Sequence, residues 1–387
     1  MEWLIDFRII YFLGAVNAFF FGLLIFSKKQ KSLSDKILAW WLMVMGLQVL
    51  YPFLYLNNVT KYQQFIGYEA SISFLHPAGL FFYTKAMVGS LKFDRKVILI
   101  LSLLFVSMLS IFGFMSYMPE NRIEIFHEND FTQYFDATGK VMLFVFSGLY
   151  FALYIYFLVR SNRLLKNYKK KIRNVFSNSE KIDLRWLRKL VLFFYAAYAA
   201  TVVAFTVNFI TGISVAYTDY IYYLLTVIFI FLIGYWGHQQ GSVFSLSSEN
   251  INIKSVKNEQ PDNNNGVSYK DEAMALEKIM AEKKPYLEPM LTIHDLAELL
   301  KIPSHQLSKV IHKEFGKNFY EYVNYYRIES FKKQIVSEKY LNFTILAVAL
   351  ECGFNSKSAF NRIFKEQTGI TPRDYKLQIQ SQNRQSA

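Results

Sequence analysis

The first 240 residues of this 387-residue chain hold more apolar segments of membrane-spanning length than a single soluble core can absorb. Seven such segments run over 9–26, 37–56, 65–88, 97–118, 141–159, 190–213 and 220–236. In hydrocarbon every backbone N–H and C=O must be satisfied within the chain, so such segments are expected as helices. Glu69, His76 and Pro77 interrupt the third. The fold class expected is all-α: a seven-helix transmembrane bundle over 1–240, a flexible linker and short helix over 241–284, a helical domain over 285–378 and a disordered tail over 379–387.

Loop charge sets the orientation. Lys28, Lys29, Lys31 and Lys36 follow the first segment, Lys85, Lys92, Arg95 and Lys96 the third, and eleven Lys or Arg lie within 160–189 after the fifth. The loop over 118–140 instead carries Glu120, Glu124, Glu128, Asp130 and Asp136. The positive-inside rule then places the N-terminus outside a bacterial inner membrane and the C-terminal domain in the cytoplasm. The first segment reads as an uncleaved span: Glu2 and Asp6 precede it, lysines follow it, and no small-residue cleavage site appears. The stretch 160–189, with Leu164, Leu165, Tyr168, Ile172 and Phe176 among its charges, reads as a topology-setting loop. An amphipathic helix lying on the inner leaflet is its alternative. The net charge of +13 is thus shared between topology and any anionic partner, and does not by itself demonstrate nucleic-acid binding.

After Trp236 the composition changes. Ser, Asn, Asp, Gly and Pro fill 245–270, too polar to bury a core, so this is the expected linker. Further on, Val348, Ala349 and Cys352 share one helix face, Gly353 marks a sharp turn, and Ser356 suits an N-cap. Phe360, Ile363 and Phe364 then form the buried stripe of a second helix, leaving Lys357, Ser358, Asn361 and Arg362 on the opposite face. The pattern recurs upstream, where Ala297 corresponds to Ala349, Leu307 to Phe360 and Lys309 to Arg362. Between the copies, 319–335 carries apolar residues at helical period and is long enough for a stiff connector. Two helix-turn-helix units on one rod would enter successive major-groove faces of a duplex.

Over 285–378 the chain resembles the AraC/XylS family of bacterial transcription regulators. The resemblance rests on the paired units, Tyr326-Arg327-Ile328, Gly353-Phe354, Phe364-Lys365, Thr368-Gly369, Thr371-Pro372 and Tyr375. It implies double-stranded DNA as partner, read in the major groove by His305, Ser308 and Lys309 in the first unit and by Lys357, Ser358, Asn361 and Arg362 in the second. Lys365 is a candidate phosphate contact. A homodimer on DNA and contact with RNA polymerase belong to the same expectation. Pro303 departs from the pattern, since a serine cap is common there; the helix is expected to survive with its cap shifted to Ser304.

Nothing in the cytoplasmic half points to an enzyme, and no cofactor or metal is expected: there is one cysteine, Cys352, and the six histidines lack paired metal spacing. Polar residues inside spans are costly, which makes Asn17, Gln48, Glu69, His76 and Asn208 candidates for a signal-ligand site or for interhelical contacts. The combined reading is a membrane-embedded regulator that senses an unidentified signal. The alternative is a transporter or membrane enzyme whose DNA-binding domain serves autoregulation, but a transporter should show a half-to-half repeat, which the sequence lacks.

Overall fold

The structure, a computed structural model, describes residues 7–57, 72–73, 75–89, scattered positions between 98 and 109, and 137–180, 182–211, 218–248, 269–340 and 343–385. The chain divides into two compact units, one of residues 1–166 and 184–251, the other of residues 167–183 and 252–387.

The first unit is built from α1 (Phe7–Phe26), α2 (Leu33–Leu56), α3 (His76–Met87), most of α4 (Ala137–Val175), α5 (Arg185–Thr211) and α6 (Thr218–Ser248). Among the described residues four helices are long and apolar enough to cross a membrane, in α1, α2, α5 and α6, against the seven expected. The difference has three parts. Of the third expected segment, 65–71 and 74 lie outside the described residues, and 76–87 form α3, with Pro77 in its first turn, where a missing N–H costs nothing. The fourth lies largely outside the described residues, as does the acidic loop after it. The fifth sits in α4, whose 39 residues join an apolar half to a basic one.

Small residues set the packing of this unit. A Cβ on Gly14 of α1 would stand 2.3 Å from Val227 of α6, one on Gly234 of α6 would stand 2.5 Å from Phe21, and one on Gly237 would stand 2.2 Å from Leu38 of α2. Glycine at these positions lets the backbones of α1, α2 and α6 approach closely, as small residues do between apolar helices. The turn between α1 and α2 is closed by Asp35, which is nearly buried. Its carboxylate accepts from Lys28 Nζ at 2.8 Å, from the Ser32 amide at 2.9 Å and from the Ser32 hydroxyl at 2.6 Å.

The second unit comprises α7 (Lys270–Glu282), a 3₁₀ turn (Pro285–Leu287), α8 (Ile293–Leu300), α9 (Ser304–Phe315), α10 (Phe319–Ile335), α11 (Ile345–Glu351), α12 (Lys357–Thr368) and α13 (Pro372–Gln385). The helix expected over 319–335 is α10, residue for residue. Three boundaries differ from expectation. First, α6 continues to Ser248, and the rest of the expected linker, 249–268, lies outside the described residues. Second, α7 packs within this unit instead of standing in a linker: Gln306 of α9 donates to Glu272 at 3.1 Å, and Lys313 lies 5.3 Å over the Tyr269 ring. Third, residues 379–385, expected as a disordered tail, continue α13. Ile370, Tyr375 and Ile379 hold that helix against the C-terminal apolar cluster.

Residues 167–183 also belong to the second unit. Tyr168, Ile172 and Phe176 are buried in protein, and so is Leu165 just before them, which removes the apolar face that a helix on the lipid surface would need. The stretch is more than a topology-setting loop as well, because Phe176 forms an antiparallel bridge with Thr292.

Candidate nucleic-acid interface

Each helix-turn-helix is assembled from local capping and a small apolar core. In the first, Thr292 and Asp295 form a reciprocal capping box that starts α8, and Lys301 in the left-handed region (φ 55°) ends it. Leu296, Ala297, Leu307, Val310 and Ile311 are buried between α8 and α9. Pro303 precedes α9 without a side-chain cap, and the expected shift of the cap to Ser304 does not occur. The Ser304 hydroxyl is instead paired with His294 Nδ1 at 2.7 Å, and the fixed φ of proline suffices to start the helix.

In the second unit Thr344 caps α11 and Ser356 caps α12, accepting from the Ala359 amide at 3.1 Å. The turn depends on Gly353 at φ +87°, where a Cβ would lie 2.4 Å from the Tyr286 carbonyl. Phe331 of α10 meets Phe360 and Phe364 of α12 at ring-centroid separations of 4.6 and 5.5 Å, which fixes the second reading helix to the connector. Burial pushes the thiol of Cys352 up to about 11, so it remains protonated and serves as a small core residue.

The expected reading residues fall into two groups. His305, Lys357, Asn361 and Lys365 are exposed. Ser308 and Lys309 are half-buried along α9. Arg362 was expected on an open face but is half-buried: its guanidinium donates to the Tyr320 hydroxyl at 3.0 Å and to Glu366 at 3.2 Å. Burial works against its charge, yet Tyr320 and Glu366 outweigh burial and raise its pKa. Ser358 is exposed but engaged, because its hydroxyl donates to Glu180 Oε1 at 2.6 Å.

Arg327, noted in the sequence only as part of a signature, is 1% exposed and organises this unit. Its Nε donates to the Tyr286 carbonyl at 2.7 Å and its Nη2 to the Glu288 carbonyl at 2.7 Å and the Ser177 hydroxyl at 3.1 Å. Burial lowers its pKa to about 10, with Tyr320 and Glu288 opposing, so it stays charged at neutral pH. Asn324, one turn earlier, donates to the Ser177 carbonyl at 3.0 Å. Ser177 and Glu180 were also missed, since nothing in a basic loop more than a hundred residues upstream marks it as a partner.

In the first unit, Gln48 and His76 meet in a buried network. Trp41 Nε1 donates to His76 Nδ1 at 3.2 Å, the other ring nitrogen pairs with the Gln48 side-chain oxygen, and Gln48 Nε2 donates to Ser73 at 2.6 Å. Both ring nitrogens are therefore paired within the protein. Asn17 donates to the Leu13 carbonyl of its own helix at 2.8 Å. Glu69 and the side chain of Asn208 lie outside the described residues. Among the described residues no cluster of His, Cys, Asp or Glu is arranged to hold a metal.

Residues 296–378 match the helix-turn-helix domain family. The uncharacterized HTH-type transcriptional regulator YpdC of Escherichia coli is 34% identical over 95 residues, covering 24% of this chain and 32% of that protein. The HTH-type transcriptional activator RhaS of Mannheimia succiniciproducens is 31% identical over 83 residues, covering 21% of this chain and 30% of that one. The chain thus spans about a third of the length of these relatives. No solved structure matches the chain.

Proposed function

We propose that this chain is a membrane-embedded, sequence-specific transcriptional regulator of the AraC/XylS type. Its seven spans hold the N-terminus outside the inner membrane and the reader in the cytoplasm, where it binds promoter DNA as a homodimer and responds to a signal received by the spans. One observation carries this reading: two capped helix-turn-helix units are joined by the single 17-residue helix α10, with basic and polar side chains along both second helices. The similarity to YpdC and RhaS, named as an HTH-type transcriptional regulator and an HTH-type transcriptional activator, supports the same direction.

DNA reading is tested by alanine substitution. Lys309→Ala and Arg362→Ala are each expected to weaken specific binding by about 1 to 3 kcal/mol and to relax preference at one base position. Arg362 must first leave Tyr320 and Glu366, so Glu366→Ala is expected to change affinity less than Arg362→Ala does. Lys365→Ala, a phosphate contact in this reading, lowers affinity for all sequences and flattens the salt dependence. Titration of each variant against the selected duplex and a scrambled one checks these outcomes. Unchanged binding by both Lys309→Ala and Arg362→Ala removes the reading surfaces.

Topology is tested by fusion. A reporter active only in the periplasm is expected to be active after Glu128 and silent after Lys170 and after Asn265. A periplasmic signal at Asn265 would place the reader on the wrong side of the membrane for DNA.

A further inference from the structure

The segment joining α4 to α5 is seated on the reader as a ligand sits in a site. Ser177 is its anchor, 1% exposed. The Ser177 amide and hydroxyl both donate to the Leu291 carbonyl, at 3.1 and 2.7 Å. The Ser177 carbonyl accepts from Asn324 at 3.0 Å, and its hydroxyl accepts from Arg327 at 3.1 Å. On the adjoining turn of α4, Arg173 lies 5.0 Å over the Tyr320 ring and 4.0 Å from Glu321. Three residues beyond the anchor, the Glu180 carboxylate accepts from both hydroxyls at the start of α12, Ser356, which caps that helix, and Ser358 at 2.6 Å.

This placement matters because the N-terminal end of a second helix is the part of a helix-turn-helix that approaches base edges. It is also the positive pole of the helix dipole, where an anion is favoured. Glu180 therefore holds the position and the hydrogen-bond donors that a DNA strand would need. A carboxylate and a DNA phosphate cannot share that end, so they exclude each other by charge as well as by volume.

Resting on the DNA-reader assignment, we propose that residues 167–183 are a built-in competitor of DNA, docked through Ser177 and closing the second reading helix through Glu180. The segment is covalently continuous with α4 on one side and α5 on the other, so a change within the spans pulls on it directly. The spans then act on the reader through this segment, a shorter route than the residues after α6. Undocking frees Ser356 and Ser358 for DNA.

The test uses the full chain in lipid nanodiscs and a duplex that the wild-type protein has selected from a random pool. A reader that is closed for most of the time binds with its intrinsic affinity scaled by the open fraction. Glu180→Gln keeps the shape and removes the charge, and is expected to raise affinity for the selected duplex about 5- to 50-fold, consistent with a docked fraction of roughly 80 to 98%. Glu282→Gln removes an exposed acid elsewhere on the same unit and is expected to change affinity less than about 2-fold, which separates a local effect from a change in net charge. Hydrogen exchange gives the second readout: adding the duplex to wild-type protein should speed exchange at 176–180 while protecting α12. If Glu180→Gln binds no more tightly than Glu282→Gln, or if the duplex leaves 176–180 as protected as before, the competitor proposal is overturned while the reader assignment stands. If wild-type protein selects no sequence from the pool, the reader assignment falls and takes the proposal with it.

Discussion

Gly353→Ala is expected to open the second helix-turn-helix and cost roughly 3 to 5 kcal/mol, at the upper end of single-substitution effects, where overpacking and backbone strain act together. Two terms add. The residue sits at φ +87°, and an L-residue in the left-handed region costs about 1 to 2 kcal/mol. The new methyl also meets the Tyr286 carbonyl at 2.4 Å and the Leu287 carbonyl at 2.9 Å, both main-chain atoms of the 3₁₀ turn that no rotamer change can move. Gly369→Ala separates the terms, because that glycine has φ +80° with nothing within 4 Å of the added Cβ, and should cost only the conformational part. Hydrogen exchange of α10 and α12 in the full chain measures both variants. Equal losses at the two positions would mean that the close approach to Tyr286 contributes nothing.

The paired readers were legible because each is written in local signals. The apolar period marked α10 residue for residue, Ser356 preceded a buried stripe as a cap does, and the glycine before Phe354 marked the turn. Ser304 misled because a hydroxyl next to a proline suggests a cap, whereas the neighbouring His294 offered a better partner. Arg362 misled for a related reason: helical spacing gives the face of a side chain but not the reach of Tyr320 from another helix.

The largest feature that escaped is the docking of 167–183. Its contacts join residues well over a hundred positions apart, such as Arg327 with Ser177, and such pairs leave no period to read. The lysines and arginines of that stretch also read as a positive-inside orientation signal, and that reading masks its packing. In the spans, composition marks apolar length but not continuity. The third segment shows the difference at Pro77, which falls in the first turn of α3 and so starts a helix there.

Arg327 is expected to matter nearly as much as Gly353, and for a separate reason. Its guanidinium lies in protein with the carbonyls of Tyr286, Glu288 and Ser177 as acceptors, so the charge is solvated by backbone dipoles. Replacing it with Met keeps much of the volume, leaves the Tyr286 carbonyl without its donor and removes the charged donor from Glu288 and Ser177, which keep only the Leu291 amide and Asn324; the loss is expected to cost about 3 to 5 kcal/mol. Arg327→Lys should recover little, because one ammonium cannot supply the two edges of the planar fork that meet Tyr286 and Ser177. The pH dependence follows from the direction of the shift. A cation whose pKa falls to about 10 on folding carries a fixed burial penalty at lower pH, relieved only as pH rises past that value. Stability should therefore be insensitive to this group between about pH 5 and 9. The telling readout is local. Either substitution should raise hydrogen exchange at 175–180 before it raises exchange at α8 and α9, since Arg327 reaches Ser177 directly while the first helix-turn-helix has its own capped core. Uniform loosening of the whole unit, or continued protection of 175–180, would show that Arg327 is not the clasp for that segment.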